Sequence, residues 1–109
     1  MTAVTVPAAA EALIPVTADE IITHGREIYR RAQQAGWPDE GRDVLLRASS
    51  RLWTETEICA RVRDDGFQVT PGRLARAREA ASGLLQALHS YCGAEAAAIV
   101  SGEAGQVAA

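Results

Sequence analysis

Apolar positions between residues 18 and 91 recur at helical intervals, and Gly, Pro and hydroxyl–acid pairs mark where helices start and stop. Ile21, Ile22, Gly25, Ile28, Tyr29, Ala32 and Ala35 follow one face of a first helix, expected over about 18–35. Ahead of it, Thr17-Ala18-Asp19-Glu20 has the spacing of a capping box, in which hydroxyl and carboxylate satisfy each other's backbone N–H. Gly36 is placed to close that helix in a left-handed conformation, with Pro38 following. Asp39-Glu40-Gly41-Arg42-Asp43 opens a second helix over about 40–52, its acids at the positive dipole end. Val44, Leu45, Ala48, Leu52 and Trp53 form the apolar face of this helix.

Thr54-Glu55-Thr56-Glu57 has the same capping spacing and predicts a short helix over about 55–65. Ile58, Cys59 and Val62 face inward, and Gly66 stops the helix. Phe67-Gln68-Val69 then reads as an extended turn with two apolar anchors. Thr70-Pro71 starts another helix, because Thr is a preferred N-cap and Pro at the first position loses an N–H that has no partner there. Leu74, Ala77, Ala81, Leu84, Leu85, Leu88 and Tyr91 carry it to Gly93, and Ala94 to Val100 allow a weak final turn or helix. The expectation is an all-α domain of four to five helices over 17–100, with flexible tails at 1–16 and 101–109. A helix-turn-helix is expected over about 54–91.

Composition narrows the function. Of the 109 residues 48% are hydrophobic, but 22 of these are Ala, while Leu, Ile, Val and Phe together number 23. A core built from so few large side chains is thin. All 11 basic residues are Arg, against 14 acids, so the net charge of −3 excludes a globally basic nucleic-acid coat and leaves room for a local patch. No apolar run reaches the ~18–20 residues that span a bilayer. Two cysteines, Cys59 and Cys92, are too few for a disulfide scaffold, and a cytoplasmic protein with reduced thiols is expected.

The most informative stretch runs from Glu57 to Arg78: a capped helix, a turn around Gly66, and a second capped helix. Ile58, Val62, Phe67, Val69 and Leu74 supply apolar residues on both sides of the turn. This segment resembles the helix-turn-helix of bacterial transcription regulators, nearest in the N-terminal DNA-binding domain of arginine repressors. The order Gly66-Phe67-Gln68-Val69-Thr70 carries the likeness. It covers about 25 residues, and no β-wing follows, so it implies the motif and not arginine sensing.

The resemblance implies a small bacterial or phage regulator that binds double-stranded DNA. Arg73 and Arg76, one turn apart, would reach base edges, since an Arg fork matches guanine O6 and N7. Arg61, Arg63 and Arg78 would hold phosphates, Thr70 would cap the recognition helix, and Gly72 would let its N-terminus approach the backbone. A wide apolar arc on the same helix, Leu84, Leu85, Leu88 and Tyr91, would form a homodimer or partner face. The other reading is a helical protein-interaction module, an adaptor, antitoxin or inhibitor, whose arginines pair with acids.

Catalytic chemistry is not expected. No nucleophile elbow, phosphate-cradling loop or paired-acid signature occurs. His89 and Cys92 are three apart on one helix and Cys59 could approach them in space, but His24 is far off in sequence, there is no Cys-x-x-Cys, and structural zinc needs four ligands. No cofactor is expected. Arg42, Arg47 and Arg51 read as a solvated face.

Overall fold

The computed structural model describes residues 17–102. The expected tail at 1–16, and residues 103–109 of the tail expected at 101–109, lie outside the described residues. Among those described there are four helices and no strand: α1 (Ala18–Gln34), α2 (Arg42–Asp64), α3 (Pro71–Cys92) and α4 (Ala94–Ser101).

The caps form as their residues dictate. The Thr17 side chain accepts from the Glu20 N–H, and the Glu20 carboxylate reaches back to the Thr17 N–H. Thr70 accepts from the Arg73 N–H at 3.2 Å, with Pro71 in the first turn. At Gly36 the expectation fails. Ala35 leaves α1 in extended backbone (ψ 142°), so no left-handed closure is needed there. Positive φ falls instead on Gly41, Gly66, Gly93 and Gly102.

The larger correction concerns α2. The two helices expected at 40–52 and 55–65 are one helix of 23 residues, and the Thr54–Glu57 capping box is not used. Leu45, Ser49, Leu52, Thr56 and Cys59 are all buried, at alternating spacings of four and three. That rhythm holds one face of a continuous helix against its neighbours, and it outweighs a local cap signal. Ser49 and Thr56 hide it in the sequence because they are polar.

Contacts along the helices fix their directions. Between α1 and α2, Asp19 pairs with Arg63, Gly25 abuts Thr56, Arg26 pairs with Glu57, and the Tyr29 and Trp53 rings sit 5.0 Å apart. Numbers rise on one helix as they fall on the other, so the two are antiparallel. Between α2 and α3 the same holds. The Cys59 thiol donates to the Arg73 carbonyl at 3.7 Å, Arg51 pairs with Glu79 at 2.7 Å, and Gly41 lies under the Tyr91 ring. The result is an up-down-up bundle in which α1 and α3 run parallel. α2 and α3 stay in contact over their full length of about 34 Å.

The core has two parts. At the α2–α3 turn end, Ile21, Ile22, Cys59, Ala60, Val69 and Ala77 pack together. Toward the other end, Ile28, Ala32, Leu45, Leu52, Leu84 and Leu88 pack with Val100 of α4. Cys59 and Cys92 belong to opposite ends and are both free thiols. Trp37 rests half-buried on the core, whereas Trp53, Val44 and Phe67, expected inside, are exposed. Ile58 is half-buried. The weak final turn is a full helix through Ser101, so the expected boundary at 100 moves by one residue, and buried Val100 anchors it. Among the described residues no helix is long and apolar enough to cross a membrane.

Candidate interaction surface

The turn joining α2 to α3 is held rigidly. The Phe67 N–H donates to the Val62 carbonyl at 3.0 Å and the Gly66 N–H to the Arg63 carbonyl at 3.0 Å, with Gly66 at φ +89°. These are the two bonds of a Schellman closure, which needs a left-handed residue where Gly66 stands. Val69, three residues after Gly66, is buried and pins the turn to the core. Phe67 points away from it and is 71% exposed, the most exposed large apolar side chain described. A fixed backbone therefore presents a phenyl ring to the outside.

The arginines sort into two groups. Arg26, Arg30, Arg31, Arg42, Arg51, Arg61 and Arg63 each pair with a carboxylate. Arg61 and Arg63, expected as phosphate contacts, are among them. Arg61 meets Asp65 at 3.4 Å, and Arg63 meets Asp19 at 2.6 Å and Asp64 at 3.0 Å. Hydrogen bonding first to Asp19 and then to Asp64 pushes the Arg63 pKa up. Of the expected solvated face on α2, only Arg47 has no carboxylate partner among the described residues; it bonds the Asp43 carbonyl.

Arg73, Arg76 and Arg78 have no ion pair among the described residues, and the sequence from Gly66 to Arg78 holds no acid. Positive charge thus collects at the start of α3, where the helix dipole has the same sign. The three do not form one stripe. At 100° per residue, Arg73 and Arg76 stand about 60° apart, but Arg78 is about 160° round from Arg76. Arg78 lines a groove against α1 instead.

The remaining expected site residues are placed as follows. The Thr70 hydroxyl accepts from the Arg73 N–H in its capping role. Gly72 is exposed, and a Cβ there would meet only Thr70 Oγ1 at 4.0 Å, so packing does not demand glycine. Leu84 and Leu88 are fully buried against α1, α2 and α4, which removes them from any partner or dimer face. Leu85 is half-buried, and Tyr91 is exposed on one side while its ring covers Gly41. The arc is wide because α3 touches three other helices.

Sequence reading missed Leu46, exposed at 47% two turns before Trp53, itself exposed at 46%. Their seven-residue spacing was the available signal. α2 and α3 leave the Gly66 turn antiparallel, whereas a helix-turn-helix joins its helices at about 90–120°. Among the described residues no group of three His, Cys, Asp or Glu could hold a metal ion. Comparison of the chain with protein-family models, with curated proteins and with solved structures gives no match.

Proposed function

We propose that this protein is a helical protein-interaction module that engages its partner at the α2–α3 end through Phe67, Arg73 and Arg76. The observation that carries this is the outward Phe67, held by the Gly66 closure and followed, on the first turns of α3, by two arginines without carboxylate partners among the described residues. Aromatic and Arg side chains dominate interface energetics, and a pre-ordered backbone lowers the entropy cost of binding. Pairing of Arg61 and Arg63 with acids, and the net charge of −3, suit a protein partner better than a polyanion. The partner would offer an apolar socket flanked by carboxylates.

A photoreactive amino acid at Gln68 tests this in the source cells. One discrete adduct is expected, abolished by Phe67→Asp and by Arg76→Glu without change in helical content. No adduct, or one indifferent to both substitutions, overturns the reading.

Duplex DNA is a second reading, supported by the uncompensated Arg73 and Arg76 on the first turns of α3. Anisotropy titration against a random duplex at low salt decides it. Binding that falls steeply with salt and is lost in Arg73→Ala and Arg76→Ala favours DNA. A DNA-reading homodimer would have to use Tyr91 and the outer side of Leu85, since Leu84 and Leu88 are enclosed.

A further inference from the structure

Arg76, one of the two arginines assigned to the partner, stands opposite a carboxylate of its own chain. Two contacts between α2 and α3 fix the register: Cys59 lies against Arg73, and Arg51 against Glu79. Midway between Arg51 and Cys59 is Glu55, and midway between Arg73 and Glu79 is Arg76. Both helices rise equally per residue and run antiparallel, so these two residues face each other across the seam. The Glu55 charge acts on the Cys59 thiol with the opposite sign to that of Arg73, which puts Glu55 at the same seam.

Neither group is satisfied. Glu55 is half-buried, and its Oε1 is enclosed without a hydrogen-bond partner among the described residues. An enclosed polar atom left without a donor destabilises the fold. Arg76 is exposed and has no acidic partner among the described residues. The nearest acid along its own helix, Glu79, is taken by Arg51. That neighbouring pair closes across the same seam at 2.7 Å, one turn from Glu55, so the helix separation there admits an Arg–Glu bridge. Arg76 carries a long, rotatable side chain and can turn inward with no movement of the backbone.

We propose that Glu55 is an internal competitor for Arg76: in the unbound chain the guanidinium alternates between the outward position and an ion pair with Glu55, and a partner carboxylate draws it away. The proposal rests on the reading of Phe67, Arg73 and Arg76 as a partner surface and names how that surface is regulated. Binding is weakened by the fraction of molecules in which Arg76 is turned inward. A partner that offers only an apolar socket for Phe67 leaves Arg76 on Glu55, whereas one that also carries a carboxylate exchanges one ion pair for another. Glu55 thereby selects for an acidic group beside the socket.

The chain alone is tested first. Glu55→Gln, Arg76→Gln and the double variant are compared in urea denaturation. The second substitution should lower the folding equilibrium constant about threefold less when the first is already present. Additive losses overturn the proposal. The same Glu55→Gln change is then placed in the chain carrying the photoreactive residue at Gln68, expressed below saturation of the adduct. Release of Arg76 should raise the adduct yield about threefold. An unchanged or lower yield overturns the proposal, because a merely structural Glu55–Arg76 pair would couple in denaturation without restraining the partner. The two failures are distinct: additivity with an intact adduct removes the competitor and leaves the partner surface, whereas coupling with no adduct in any variant removes the partner surface and the regulation with it.

Discussion

A Cβ built on Gly25 would lie 2.5 Å from the Thr56 hydroxyl oxygen, so α1 backbone and an α2 side chain touch at this level. Thr56 is buried and β-branched, with little room to turn away. Gly25→Ala gains up to about 1 kcal/mol of helix propensity but overpacks a tight contact, which costs about 1–3 kcal/mol. A net loss of stability in urea denaturation is expected. Thr56→Ala, harmful alone, should relieve it in the double variant, and simple additivity would refute the contact.

Leu84 is fully buried at the meeting of α2, α3 and α4. Leu84→Ala should cost about 2–5 kcal/mol. Leu84→Asp should abolish the cooperative thermal transition of the isolated chain. A folded Leu84→Asp protein that had merely lost a partner would contradict the packing described here.

Two glycines should respond in opposite directions. Gly41 has φ +87°, and a Cβ there would fall 2.2 Å from Tyr91 Cδ1, so Gly41→Ala meets both strain and a ring. Gly72 has open space around it, so Gly72→Ala should stabilise by up to about 1 kcal/mol through the unfolded chain. Thermal melts of the two variants, moved in opposite directions from the parent, are the expected result.

The Glu57 carboxylate accepts two bonds from Arg26, at 2.8 and 2.9 Å, and this pairing lowers its pKa against the opposing effect of burial. A folded-state pKa below the unfolded one adds stability that is complete above the unfolded carboxylate value and lost as pH falls through the folded one. The pair is half open to solvent, so its contribution is about 0.2–1 kcal/mol and falls with salt. Arg26→Gln should reduce the loss of stability on acidification. Urea midpoints of parent and variant that converge at low pH are the expected outcome.

The two thiols should differ in reactivity. Burial first, and the nearby Glu55 charge second, push the Cys59 pKa up. Its thiol is enclosed and bonded to the Arg73 carbonyl. Cys92 is half-buried at the end of α3. A chromogenic disulfide reagent should modify Cys92 quickly under native conditions and Cys59 only on unfolding.

Much of the local structure was legible in the residues. The Thr17–Glu20 box, the Thr70-Pro71 start and the Gly66 and Gly93 stops depend on contacts within a few positions, so their chemistry is written where it acts. The apolar period marked Ile28 and Ala32 as inward for the same reason. The Thr54–Glu57 signal misled because it is equally local: a cap competes with helix continuation, and burial of Ser49, Leu52, Thr56 and Cys59 against two neighbours decided for continuation.

For the candidate surface the division is sharper. Sequence alone determined that this chain is a set of capped helices, with arginine and no acid between Gly66 and Arg78. Tertiary structure decided which charges remain uncompensated, because Arg63 finds Asp19 from 44 positions away and Arg51 finds Glu79 from 28. It also decided that Phe67 stays outside while Val69 goes in, and that Leu84 and Leu88 face their own chain. Periodicity says which side of a helix is apolar; only the placement of the other helices says what that side meets.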